Sequence, residues 1–465
     1  MRRWAVLAGV CVLSIGVIGV AEPVSATPAT APTPGSAGIG DPYFPDAGNG
    51  GYDVKHYSLK LSYAAKHLSG KATIIAAATQ ALSRFDLDLR PDMKASSVSV
   101  DGLPAKFGHK GQELIVTPRR SLRRYEPFVV TVKYAGKPAP VIDPDGALDG
   151  WIPTDDGAVL ASEPQGSPTW FPCNDHPLDK ATYDISFTVP AGLTVIGNGR
   201  LAGKATRHGR STFVWVENRP MATYLVTATF GHFQVKTGRT KDGIPIITAV
   251  DPREAKDANP ALAKLPKMIA FEEKIFGPYP FDTVGAIVDD APQVGYALET
   301  QTKPVFDGAP DDSLLLHELA HQWYGDSVAL TKWQDIWLNE GFATMAEWLW
   351  AEHTTGVTTQ ETFDGFYAEP ASSTELWNPP SGDPKDGADI FDTSVYLRGA
   401  MTLQAFRARA GDKAFFRTLR DWATQHRNGH GTTAQFVALA NHNSGRNLDK
   451  LFNVWLFQKG KPKSW

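Results

Sequence analysis

The chain has 465 residues, 42% hydrophobic and 21% charged, with both signs interspersed and a formal net charge of −4. That composition is globular, with enough apolar material for one large core or two to three smaller ones, and it excludes an intrinsically disordered chain. No basic stripe is present, so a nucleic-acid partner has no electrostatic support.

The first segment reads as a targeting device. Arg2 and Arg3 precede an apolar run from Trp4 to Val20, and Val24-Ser25-Ala26 is a small-residue site of the kind signal peptidase accepts. Residues 1–26 are therefore expected to be a signal peptide, leaving a secreted chain with no stable membrane insertion. The run also approaches membrane-spanning length, so an N-terminal segment that stays on as an anchor is the alternative. The arginine pair leaves Sec and twin-arginine export both open. Of the two cysteines, Cys11 falls in this segment and Cys173 stands alone. A disulfide framework is thereby excluded, and Cys173 is expected as a small buried hydrophobe. Residues 27–46, rich in Pro, Ala and Thr, read as a spacer with nothing to bury.

Residues 47–245 carry short β-like runs divided by Gly, Pro and Asp, among them HYSLKLSY, ELIVTP, FVVTVKYAG, ISFTVP and TFVWVEN. Alternation and β-branched enrichment at this spacing predict an all-β saddle or sandwich. The pattern changes over 246–465. AKLPKMIAFEEKIFG, SLLLHELAHQWYG, WLNEGFATMAEWLWAEH and SVYLRGAMTLQAFRARAG carry helical spacing, while DTVGAIVDD and the stretch around QVGYALETQTKPVF read as strands. A mixed, mainly helical second domain with a small sheet follows.

His317-Glu318-Leu319-Ala320-His321 is the strongest chemical signal. Histidines at i and i+4 share one helix face, so both imidazoles reach one cation, whereas Asp311, Asp312 and Ser313 can cap the helix start. The bland alternative is a pair of satisfied histidines. A catalytic zinc takes three protein ligands and leaves one position open, and Glu340 supplies a third on a second apolar-faced helix nineteen residues after His321. Taken alone, Glu340 could simply offset a helix dipole. Glu318 points about a hundred degrees away from its neighbour around the helix, free of the metal and able to act as base toward a metal-bound water.

His317 to Asp326, followed by Trp337-Leu338-Asn339-Glu340-Gly341-Phe342-Ala343, resembles the aminopeptidase N family of gluzincin metallopeptidases (peptidase family M1). The resemblance extends from about Tyr52 to the chain end. It implies one zinc ion per chain, a thermolysin-like α+β catalytic domain behind the β domain, and an active site at their junction. Tyr296-Ala297-Leu298-Glu299-Thr300 is similar to the family's G-A-M-E-N strand, which implies that Glu299 binds the substrate's α-ammonium while Tyr296 and Ala297 line its backbone. Gly, Met and Asn of that motif are replaced here. Glu163 opens a run that looks like the family's E-P-x-x-A-R-x-x-F-P-C-x-D and implies a second amine contact, although Pro168 stands where the family has arginine. Val395-Tyr396-Leu397-Arg398-Gly399-Ala400 is similar to V-Y-x-K-G-A, which implies that Tyr396 hydrogen-bonds the oxyanion.

The reading that results is a secreted zinc aminopeptidase acting on peptides with a free N-terminus, with the oligomeric state left open. A zinc endopeptidase of the same fold, an epoxide-opening relative resembling leukotriene hydrolase, and a non-catalytic secreted binding protein with a vestigial metal site remain as rivals. Relatives carry a further helical domain beyond the point where FNVWLFQKGKPKSW closes this sequence, which suggests a more open cleft. His176 is expected as a surface or turn residue, and His426 and His430 in a solvated loop. Trp333, Trp337, Trp348 and Trp350 read as packing, with Trp333 a further candidate for the cleft rim.

Overall fold

The computed structural model describes residues 31–464. The proposed signal peptide, residues 1–26, lies outside them.

The alternating runs of the N-terminal half form sheets as their periodicity requires. An eight-stranded sheet is centred on Lys180–Pro190, Tyr52–Ala64, His67–Ala78 and Pro127–Gly136. Its pairings are antiparallel except between Tyr52–Ala64 and Lys180–Pro190, which run parallel with Tyr57 opposite Tyr183. Tyr57, Leu59, Leu61, Ile185 and Phe187 point inward and are buried, while the residues between them are more exposed, as period-two patterning dictates. A five-stranded sheet (including Leu148–Pro153 and Ala158–Ala161) and a four-stranded sheet complete this half. Cys173 is buried and free.

The C-terminal half holds ten helices among the described residues: α1 (Ala255–Leu262), α2 (Leu265–Phe276), α3 (Asp312–Ala320), α4 (Trp337–Thr355), α5 (Thr359–Ala368), α6 (Thr374–Trp377), α7 (Thr393–Ala410), α8 (Asp412–Gln425), α9 (Thr433–Ser444) and α10 (Asp449–Phe457). They pack beside a four-stranded sheet ordered Gln234–Arg239, Pro245–Val250, Val284–Val288, Val305–Phe306. Gln234–Arg239 thus pairs with Pro245–Val250 in the same sheet as Val284–Val288. Helix α4 crosses α7 at a glycine contact. A Cβ added to Gly341 would lie 2.9 Å from Cα of Gly399, so neither position tolerates a side chain without movement. Among the described residues no helix is long and apolar enough to cross a membrane.

The stretch expected as a spacer, 27–46, is part of the fold from residue 33 onward. Thr33–Pro34 pairs with Leu82–Asp88, and Phe44 is buried against Trp333. Asp41 Oδ2 accepts a hydrogen bond from the Trp333 backbone N–H (2.8 Å) and lies 3.1 Å from His176 Nε2. Burial works against ionisation of Asp41, but these bonds win and hold its carboxyl below the usual value. His176 does sit in a turn, its carbonyl accepting from the Asp179 N–H at 3.0 Å, but it is a buried link between the segments rather than a surface residue. A composition without apolar periodicity hid this, because the anchoring is done by one carboxylate and one ring. His426 and His430 are half-buried as well: His426 Nδ1 lies 2.7 Å from the His430 carbonyl and His430 Nε2 3.1 Å from that of Pro177.

Candidate active site

Helix α3 begins where Asp311 caps it, the carboxylate accepting from the Leu314 N–H at 2.9 Å. Leu315, Leu316 and Leu319 sink into the core and fix the helix's rotation, which turns His317 and His321 to one pocket. His321 is the residue at which the helix closes, its N–H still bonded to the His317 carbonyl at 3.3 Å. Helix α4 supplies Glu340 from its first turn.

Nε2 of His317 and His321 lie 3.3 and 3.4 Å from Glu340 Oε2. Ligand atoms about 2.0–2.1 Å from a tetrahedral zinc stand about 3.3–3.4 Å apart, so the spacing suits that ion, and two imidazoles with one carboxylate are a donor set that zinc accepts. The outer ring nitrogens are engaged elsewhere. His317 Nδ1 lies 2.7 Å from Glu347 Oε1, and His321 Nδ1 3.0 Å from the Tyr324 carbonyl. With a metal on Nε2, each ring would carry its proton on Nδ1, where these acceptors receive it. Burial disfavours charge on the imidazoles, yet the surrounding carboxylates outweigh it and pull His321 up to about 9, while Glu340 is held down at about 2 against its own burial. This field attracts a cation.

One cavity of about 570 Å³ is lined by His317, Glu318, His321, Glu340, Glu299, Glu163, Tyr296, Ala297 and Tyr396. All the sequence-predicted site residues are thus brought together. Oxygens of Glu163, Glu299 and Glu340 lie within 4.8 Å of one another, as do the ligand atoms of Glu299, Glu318 and His321. Burial chiefly pushes Glu318 up to about 8, with the two imidazoles acting the other way. The Tyr396 ring stacks on His317 with centroids 5.9 Å apart, and burial together with the Glu340, Glu163, Glu299 and Glu318 charges keeps its phenol protonated. Leu298 is held at the sheet edge by paired backbone bonds to Val305, 2.8 Å each, which fixes Glu299 beside the metal ligands.

The β half closes the other side. Glu163 comes from the turn after Ala158–Ala161, Tyr296 donates to the Leu148 carbonyl (2.9 Å), and the Tyr224 hydroxyl reaches Glu299 Oε1 at 3.4 Å. Trp333 is fully buried, stacked edge-on to Tyr224, and belongs to the packing beneath the site rather than to its rim. Sequence reasoning missed Tyr224 and Glu347, and read Ser313 only as a helix-start residue. Glu347 alone carried a signal: it follows Glu340 by seven residues, two turns on the same face of α4.

The model of the peptidase M1 N-terminal domain matches residues 53–225, and that of the peptidase family M1 domain matches residues 298–455. A solved two-domain M1 zinc metallopeptidase, a mutant bound to L-arginine, is 31% identical with a TM-score of 0.85, the alignment covering 92% of this chain and 99% of that one. The chain belongs to peptidase family M1. A mutant M1 zinc metallopeptidase of Deinococcus radiodurans, bound to a Tyr-Ser-Ala substrate, is similar to this M1 chain at 30% identity and TM-score 0.84, over 92% of this chain and 99% of that one. Aminopeptidase M1 of Arabidopsis thaliana is 28% identical over 331 residues, 66% of this chain and 37% of that protein. The M1 chain spans about half the length of the curated relatives it matches, or less.

Proposed function

We propose that the chain is a zinc aminopeptidase that removes N-terminal residues from peptides. The observation that carries this reading is the meeting, in one cavity, of a His317–His321–Glu340 ligand set with the Glu299–Glu163 carboxylate pair. Zinc, when bound by those three residues, supplies a Lewis acid and lowers the pKa of a water to about 7. Glu318, in the same cavity as the three ligands, takes a proton from the attacking water and passes it to the leaving amine. Glu299 and Glu163 receive the α-ammonium, and their fixed distance from the ligand set admits a chain whose free end lies there. Tyr396, a neutral donor, hydrogen-bonds the oxygen on which charge develops. The relative bound to Tyr-Ser-Ala supports peptides as the substrate class.

Export belongs to the same proposal. It rests on the Arg2-Arg3 start, the apolar run and the Val24-Ser25-Ala26 site. Hydrolysis of matched free and N-acetylated peptides tests the reading, and only the free form should be cleaved. Glu318→Gln should lose turnover while keeping stoichiometric zinc. Equal cleavage of the capped peptide would instead assign an endopeptidase.

A further inference from the structure

We infer that a side cavity next to the active site selects a cationic N-terminal side chain, arginine or lysine, through Asp143. The inference rests on the aminopeptidase reading above. The cavity measures about 370 Å³ and shares Glu163, Tyr296, Ala297 and Tyr396 with the cavity around the metal ligands. A peptide whose amine is held by Glu163 and Glu299 therefore has this space beside it for its first side chain.

A hairpin tip builds the far wall. Val141–Ile142 pairs with Leu148–Pro153, and the tip is closed by bonds from the Asp143 N–H to the Ala147 carbonyl (3.0 Å) and from the Gly146 N–H to the Asp143 carbonyl (2.9 Å). Gly146 has φ +95°, a conformation that favours glycine and lets the chain turn back. The tip places Asp143 and Asp145 in the cavity wall. Asp143 is 6% exposed; its Oδ1 accepts from Gln165 Nε2 at 3.1 Å, and its carboxyl is hydrogen-bonded to that of Asp149. Burial raises Asp143 to about 6, and burial together with the Asp143 charge pushes neighbouring Asp149 well above its usual value, so Asp143 is the more acidic of the two. Asp145 is exposed, its carboxylate tied to the Ala147 N–H at 2.9 Å.

No lysine or arginine lines this cavity among the described residues, and Arg90, whose charge acts on Asp143, lines a separate one. Tyr296, Ala297 and Phe391 provide apolar wall. An apolar passage ending on a buried carboxylate matches a side chain with a methylene stem and a cationic head. A leucine side chain fills the same space but leaves the carboxylate unpaired, which carries a desolvation penalty.

The test uses the zinc-loaded chain with arginyl-, lysyl-, leucyl- and methionyl-coumarin substrates. Wild type should favour Arg and Lys over Leu at least tenfold in kcat/KM, and Asp143→Asn should lower the Arg/Leu ratio tenfold or more, chiefly through KM. Asp145→Asn, at the exposed tip, should lower the ratio by a few-fold and serves if Asp143→Asn does not fold. Equal kcat/KM for Leu and Arg in wild type, or an unchanged ratio in the folded variants, would overturn the inference while leaving the aminopeptidase reading intact. Absence of turnover on every substrate would count against that reading instead. Calorimetric binding of free L-arginine against L-leucine then decides the cavity's preference: stronger L-arginine binding supports it and equal binding removes it.

Discussion

Glu347 offers the sharpest test of how the metal site is held. Its Oε1 lies 2.7 Å from His317 Nδ1, and its Oε2 accepts from Ser313 Oγ at 2.6 Å, so one carboxylate ties a ligand of α3 to the helix that carries Glu340. Glu347→Ala removes that tie and leaves the His317 ring free to turn. A hydrogen bond to a charged acceptor contributes about 1.5–3 kcal/mol. The Glu347 side chain is 26% exposed, so solvent screening places the expectation near the bottom of that range, about 1.5–2 kcal/mol. At about 1.4 kcal/mol per decade this predicts zinc binding weakened about 10–30-fold. Glu347→Gln keeps an acceptor without the charge and should weaken binding less. The assay is competition for zinc with a chromophoric chelator at fixed pH, alongside the melting temperature of the metal-free protein. At saturating zinc most of kcat should return, because Glu347 acts through His317 rather than on substrate. If Glu347→Ala melts normally and binds zinc as wild type does, the positioning role is refuted.

Tyr396→Phe should lower kcat about 100–1000-fold at nearly constant KM and zinc content, as loss of a single oxyanion donor does; a large rise in KM with kcat preserved would assign it to substrate binding. Gly341→Ala places a Cβ 2.9 Å from Gly399 backbone, which cannot swing away, and should cost about 1–3 kcal/mol in urea unfolding. Gly365→Ala, with nothing within 4 Å of the added atom, should be neutral or stabilising; equal effects at the two sites would refute the packing account. Glu272 is fully buried with both carboxylate oxygens unpartnered, and burial alone raises its pKa well above 4.5. Its folded pKa being raised, stability is fully present below about pH 4.5 and is lost as pH rises toward the folded value. Glu272→Gln should therefore flatten the pH dependence of stability and gain most on wild type above neutrality. A constant offset across pH 5–8 would contradict this.

Much of the molecule was decided by local pattern. Alternation in HYSLKLSY or FVVTVKYAG needs no distant partner to specify a strand with one buried face, and the i, i+4 spacing of His317 and His321 follows from helix geometry alone. The cap at Asp311 is equally local. Other features depend on which surfaces meet. Residues 163, 299, 340 and 396 are far apart in sequence, and only the packing of the β half on α3, α4 and α7 brings their side chains to one cavity. Asp41 and His176 look like spacer and turn until each becomes the other's buried partner, 135 residues away. Gly341 and Gly399 read as helix-weakening residues until α4 and α7 cross at backbone contact. Sequence fixes periodicity and chemistry along a chain, whereas the partners of a buried polar or glycine position are set by long-range packing, which leaves no periodic trace.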